Sequence, residues 1–174
     1  EAFHQKYPFI DLVVHGTGEI PFLEILKDGL NGNWEALSSV SFINNRGELV
    51  QNKQCSDPDL SEVPDPYLTG VFDPLYDEYQ KIVQWIAGLE TNRKCPFACT
   101  FCSWPMGKPL LRPLEEVFQT LDQAVLKYRT GYIFIFDANF GIFRERDLAI
   151  AEHLANLKLK HGLPRNVNVQ DGKN

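Results

Sequence analysis

Two hydrophobic patterns follow one another along the chain. Residues 9–14 (FIDLVV) form a short, mostly apolar run, the pattern of a buried strand. Gly16-Thr17-Gly18-Glu19 follows. Pro21 then stands where a first helical residue is tolerated, with Phe22, Leu23, Leu26 and Leu30 at helical spacing and Gly29 and Gly32 near the stop. Strand, glycine turn and helix in that order form the building block of a nucleotide- or cofactor-binding α/β layer. Residues 40–43 and 48–51 flank Asn44-Asn45-Arg46-Gly47 and predict a hairpin. Residues 55–74 then hold Pro58, Pro64, Pro66 and Pro74 among several acids. Proline excludes a helix interior or a central strand, so residues 55–80 are expected to link a region 1–54 to a region 81–174. Tyr67, Phe72, Tyr76 and Tyr79 are expected to seat the linker against a core.

Beyond the linker the pattern is regular. Residues 85–92 predict a strand. Pro113 opens a helix with Leu114, Val117, Leu121, Ala124, Val125 and Tyr128 on one face and Gly131 as its stop. Residues 132–136 (YIFIF) are too apolar for an exposed strand, and residues 137–143 are expected to be a loop. Residues 146–161 predict a second helix, closed by Gly162 and Pro164, and residues 167–170 start a third strand. The β-α-β-α-β order predicts parallel strands, whose carboxyl ends carry the chemistry in α/β sheets. The loops after the first two of these strands should therefore lie together on one face.

Composition narrows the class. The 174 residues are 44% hydrophobic and 23% charged, an ordinary globular balance that excludes a disordered tail or a coiled coil. No uninterrupted apolar stretch approaches the ~20 residues of a membrane span. A net charge of −6 gives no electrostatic reason to expect nucleic-acid or anionic-membrane binding. The chain opens on Glu1 with no signal-peptide pattern and closes on Asp171-Gly172-Lys173-Asn174 directly after a strand-like stretch, which raises the expectation of a segment from a longer protein.

The four cysteines are too few for a disulfide scaffold. Three of them form Cys95-Pro96-Phe97-Ala98-Cys99-Thr100-Phe101-Cys102, a C-x3-C-x2-C array. Buried structural cysteines fit poorly beside Pro96 and small or polar neighbours. A structural zinc needs a fourth ligand; Cys55, His4, His15, His153 and His161 are available, none at zinc-knuckle spacing. A ferredoxin-type cluster also needs four thiolates. Three thiolates on one loop suit a [4Fe–4S] cluster with one iron open to a substrate or cofactor.

Residues 89–104, spanning Leu89-Glu90-Thr91-Asn92-Arg93-Lys94-Cys95 through Cys102-Ser103-Trp104, resemble the cluster loop of radical S-adenosylmethionine (radical SAM) enzymes. They are most similar to the group that carries a cobalamin (B12)-binding domain. Asp137-Ala138-Asn139-Phe140-Gly141 fits the same group. So does Asp11-Leu12-Val13-Val14-His15-Gly16-Thr17-Gly18-Glu19, which resembles the last strand and turn of the cobalamin domain. The resemblance implies an α/β fold: a partial (β/α) radical SAM barrel, represented by its first three strands, preceded by the end of a Rossmann-like cobalamin-binding domain. It implies Cys95, Cys99 and Cys102 as iron ligands and Phe101 near the adenine. Asp137, Asn139 and Phe140 would stand where the superfamily's glycine-rich loop meets S-adenosylmethionine. Lys94 departs from the group's usual Gly, at a cost of about 1 kcal/mol if φ there is positive. Ser103 and Pro105 replace a common Asp and Gly, and Thr17 a frequent Glu.

The implied activity is reductive cleavage of S-adenosylmethionine to a 5′-deoxyadenosyl radical, with cobalamin-dependent methyl transfer to an unactivated carbon. Rearrangement or cyclisation without methyl transfer, and a non-catalytic metal-binding or electron-transfer module, are the alternatives. A small-molecule or natural-product substrate, a reducing partner such as flavodoxin or ferredoxin, and a reducing cytoplasm follow from the same chemistry. Residues 1–54 hold too little apolar area for an independent core, so the segment is expected to bind the cluster but not cobalamin, and to turn over no substrate alone. Other candidates have plainer readings. Cys55 is expected to be a free thiol, His15 a strand-end residue, Gly16-x-Gly18-Glu19 a simple turn, and Arg144-Glu145-Arg146-Asp147 a solvated helix start.

Overall fold

The computed structural model describes residues 2–171. The final three residues, on which part of the expectation about the chain's end rested, lie outside them. The fold is mixed α/β and divides into two compact units, residues 1–59 and 60–174.

In the first unit a short helix α1 (Ala2–Lys6) leads to β1 (Leu12–Val14), α2 (Glu19–Lys27), β2 (Val40–Ile43) and β3 (Leu49–Gln51). The hairpin between β2 and β3 forms as the sequence predicts. Asn44 makes its turn by accepting the backbone N–H groups of Arg46 and Glu48 on Oδ1, and Gly47 adopts φ +80°. The strand–turn–helix unit also forms, but β2 returns antiparallel to β1, with Val13 opposite Ser41. The result is an antiparallel meander, β1-β2-β3. Its core is small: Leu37, Val40 and Phe42, flanked by Leu12, Val14, Ile25, Trp34 and Val50.

The second unit carries α3 (Asp73–Tyr79), β4 (Ile86–Leu89), β5 (Asn92–Arg93), β6 (Leu110–Leu111), α4 (Leu114–Asp122, followed by a π turn, Gln123–Lys127), β7 (Tyr132–Phe140), α5 (Arg144–His161) and β8 (Asn166–Asp171). Strands β4, β7 and β8 form a parallel sheet in that order. The expected helix face is buried, with Val117, Leu121, Ala124, Val125 and Tyr128 all in the core beside Ile133 and Ile135 of β7 and Ile150, Leu154 and Leu157 of α5. Tyr67, Phe72 and Tyr76 of the proline-rich stretch pack there too, whereas Tyr79 is exposed. Tyr67 has a specific task. Its hydroxyl accepts the N–H of Gly88 (2.9 Å) and donates to the Gly88 carbonyl (3.1 Å), closing the open edge of β4.

Candidate functional site

The site grows from β7. The strand was expected to end at Phe136, yet it runs to Phe140. Side chains alternate across a strand, so Ile133, Ile135, Asp137 and Asn139 share one buried face. The first two fill the apolar core and the next two continue the same face with polar groups. A parallel partner, β8, pairs with the strand as far as Ile135 and meets it again at Phe140 after a register shift.

Asp137 is fully buried and spends its carboxylate on the neighbouring backbone. Its carboxylate accepts the backbone N–H groups of Thr91 (2.7 Å) and Asn92 (3.0 Å) on one oxygen, and the Thr91 hydroxyl and Asn92 amide (2.7 Å) on the other. It thereby fixes the turn where the expected strand 85–92 breaks into β4 and β5. Burial pushes its pKa upward, against the pull of these donors. The guanidinium of Arg146 buttresses the same turn by donating to the carbonyls of Thr91 (3.1 Å) and Arg112 (2.5 Å). Arg146 and Asp147 were expected in a solvated helix start. Instead Asp147 is buried and accepts the N–H groups of Gly141 (2.7 Å) and Phe143 (3.1 Å), tying the β7–α5 connection to the first turn of the helix. Spacing alone does not separate these two from the exposed Arg144 and Glu145; the packing of α5 against the sheet does.

The turn held by Asp137 launches the cysteine loop. Lys94 adopts φ +72°, the left-handed conformation that glycine enters freely, and reverses the chain into Cys95. Cys95 donates its N–H to the Pro105 carbonyl (2.9 Å) and accepts that of Gly107 (3.0 Å), so the loop 95–107 closes on its own base. A turn between Cys99 and Cys102 (3.1 Å) shapes its tip. Cys95, Cys99 and Cys102 all line one cavity of about 180 Å³, together with Phe97, Trp104, Met106, Ala138, Asn139 and Gln170. The loop after β4 and the end of β7 thus face one cavity, at the carboxyl ends of neighbouring parallel strands. Asn139 is the β7 residue that touches a cysteine directly, donating its side-chain N–H to Cys95 Sγ at 2.8 Å. Among the described residues no three His, Cys, Asp or Glu side chains converge on one point as a closed metal site would require. The cysteines share a cavity without being gathered to a centre.

The other expected residues lie elsewhere. Phe101 is 81% exposed on the loop and outside the cavity lining. Phe140 packs against the apolar core and lines a separate groove with Leu154 and Val169. His153 bonds Asp122 (2.8 Å) and stacks on Phe118. In the first unit His4 and His15 both hydrogen-bond Ser41 Oγ, and Cys55 receives the Ser39 hydroxyl on its sulfur (3.2 Å). His153 is not among the residues that line the cysteine cavity. Sequence reasoning missed Thr91, Asn92 and Arg146 as supports of the loop. The period-2 continuation of the buried face beyond Ile135 was the one signal that could have placed Asp137 and Asn139 on the strand.

No family model matches the chain. It is 36% identical, over 177 residues, to the cobalamin-dependent radical SAM methyltransferase TokK of Streptomyces tokunonensis, covering 99% of this chain and 26% of that protein. It is 33% identical, over 180 residues, to the 2-(S-pantetheinyl)-carbapenam-3-carboxylate methyltransferase of Streptantibioticus cattleyicolor, again covering 99% of this chain and 26% of the relative. The fold is similar to that of the cobalamin-dependent S-adenosylmethionine radical enzyme OxsB with aqua-cobalamin and S-adenosylmethionine bound. That match has a TM-score of 0.66 and 22% identity, over 88% of this chain and 22% of that one. It is also similar to the radical S-adenosylmethionine methyltransferase TsrM of Kitasatospora setae with cobalamin and a [4Fe–4S] cluster bound, at a TM-score of 0.61 and 13% identity, over 92% of this chain and 32% of that one. The chain is therefore homologous, over nearly its whole length, to a segment of cobalamin-dependent radical SAM methyltransferases, and spans about a quarter of the length of the curated relatives it matches.

Proposed function

We propose that this chain supplies the iron–sulfur site of a radical SAM enzyme. The enzyme cleaves S-adenosylmethionine reductively to a 5′-deoxyadenosyl radical and, with cobalamin, methylates an unactivated carbon of a small-molecule or natural-product substrate. The observation that carries this reading is the meeting of Cys95, Cys99 and Cys102 around one cavity at the carboxyl ends of parallel strands. The donor set fits an iron–sulfur cluster: three thiols, with no carboxylate or imidazole among the residues lining the cavity. When bound there, such a cluster supplies single electrons and, through an open iron, a seat for the amino and carboxylate groups of S-adenosylmethionine.

The chain's own residues do the rest. Cys95 offers a sulfur beside the closed loop base, and Cys99 and Cys102 offer theirs from the turn at the loop's tip. Phe97, Trp104 and Met106 give the cavity apolar walls while staying partly open to solvent themselves. Asn139 and Ala138 bring the end of β7 to the same cavity, where its polar groups would meet S-adenosylmethionine; Asp137 acts from behind through Thr91 and Asn92. In this reading residues 81–174 are the first three strands of a partial (β/α) barrel. Residues 1–54 are the end of a cobalamin-binding region, and residues 55–80 are the connector. A flavodoxin- or ferredoxin-like reductant and a reducing cytoplasm suit an exposed, oxygen-sensitive cluster. Among the described residues no helix is long and apolar enough to cross a membrane.

Anaerobic reconstitution with iron and sulfide tests the proposal. About four iron atoms per chain are expected, with visible charge-transfer absorption. Cys95→Ala, Cys99→Ala and Cys102→Ala should each abolish that absorption, and Cys55→Ala should leave it intact. Zinc bound with no affinity for S-adenosylmethionine, or loss of iron in Cys55→Ala, would overturn it.

A further inference from the structure

The three cysteines are not equivalent, and the difference lies in what each sulfur accepts. Cys102 receives a backbone N–H from Trp104 (3.4 Å) on the exposed side of the loop, local to the loop itself. Cys95 is 8% exposed and receives the Asn139 side chain at 2.8 Å. Asn139 is itself 4% exposed and belongs to the buried face of β7. Each partner has its own support, Cys95 in its backbone bonds to Pro105 and Gly107 and Asn139 in its buried position on β7. A thiolate that binds iron keeps lone pairs, so the sulfur can accept the same N–H after metal binding.

An N–H aimed at a cluster sulfur draws charge from it and favours the electron-rich, reduced state, which raises the reduction potential. We infer that Asn139 is a positioning residue that sets the reduction potential of an iron–sulfur cluster held by Cys95. Its side chain donates to this one sulfur and leaves Cys99 and Cys102 to the loop. The inference rests on the reading of the cysteine cavity as a cluster site, and it adds an electronic role to a strand residue that is not a ligand. Asparagine suits the task because it donates without carrying charge. Aspartate, of the same shape, would offer only acceptors to a sulfur that needs a donor.

The test uses the anaerobically reconstituted chain, with iron content measured first and the cluster midpoint potential read by electron paramagnetic resonance during reductive titration. Asn139→Ala should load iron as the unsubstituted chain does and show a midpoint shifted to more negative potential. Asn139→Asp should shift it further the same way, because it adds a like charge. Asn139→Ser, which keeps a small donor, should recover part of the difference. Normal iron loading with an unchanged midpoint in both Asn139→Ala and Asn139→Asp would overturn the inference while leaving the cluster site standing. Loss of iron in all three variants would overturn it too, since Asn139 would then build the site rather than tune it. Failure of the unsubstituted chain to take up iron would instead overturn the reading beneath it.

Discussion

Helices α2 and α4 both carry apolar residues at helical spacing, and the two units of the chain treat them differently. In residues 60–174 the apolar face of α4 is covered by β7 and α5, and Val117 and Leu121 are fully buried. In residues 1–59, Phe22, Leu23 and Leu26 of α2 are each at least half exposed, and only Ile25 packs against the small core. Periodicity reports that a helix has an apolar side. It does not report that the same stretch of chain holds enough strand to cover it. A sheet whose strands run three, four and three residues offers little area, whereas the nine-residue β7 backs two helices.

The largest effect that could break this contrast is a pair of truncations. Leu121→Ala should cost about 2–5 kcal/mol, the range for a large-to-small change in a packed core. Leu26→Ala in α2 should stay within about 0.5 kcal/mol. Urea unfolding of each variant, followed by circular dichroism, measures both, and equal losses would erase the distinction between the units.

A polar comparison sharpens it. Asp137→Ala removes the acceptor for both backbone and side-chain donors of Thr91 and Asn92. Buried donors left without a partner cost about 1–3 kcal/mol, so the second unit should be destabilised by that order even though Asp137 lies outside the cavity. Iron uptake should fall with it, because the turn that launches the cysteine loop is loosened. An Asp137→Ala chain with unchanged stability and iron content would return Asp137 to the cofactor side.

The smallest effect concerns strain. Ser39 (φ +54°) in the first unit and Lys94 (φ +72°) in the second are non-glycine residues in the left-handed region, as is Arg129 (φ +48°). Lys94→Gly should stabilise the second unit by about 1 kcal/mol. Ser39→Gly should bring no such gain, because the Ser39 hydroxyl also accepts the Cys55 N–H (2.8 Å) and donates to the Cys55 sulfur. Thermal unfolding of both variants separates the two, and a matching gain at Ser39 would show that its hydrogen bonds add nothing.

Much of this was legible from local chemistry. The C-x3-C-x2-C array, the helix opened by Pro113, the helix closed by Gly162 in the left-handed conformation and the Asn44–Gly47 hairpin turn all follow from residue types at fixed spacings. They depend on the few residues beside them. The extent of β7 was not legible in the same way. Asp137 and Asn139 interrupt an apolar run, and a run-based reading ends the strand before them. Buried donors at Thr91 and Asn92 hold Asp137 in place, and β8 meets the strand again at Phe140.

By itself the sequence determined which thiols stand together on one loop and where the chain turns, since cysteine spacing, proline geometry and glycine freedom act over a handful of bonds. Tertiary structure alone decided which polar residues serve the site and which serve its frame. Asp137 and Asn139 are two residues apart on one strand face. One is captured by the donors of Thr91 and Asn92, and the other reaches Cys95. The same step made β2 antiparallel to β1, buried Asp147 and drew the guanidinium of Arg146 onto the carbonyls of Thr91 and Arg112. Each outcome turns on a partner distant in sequence, and a buried polar group takes whichever partner the packing brings within hydrogen-bond reach.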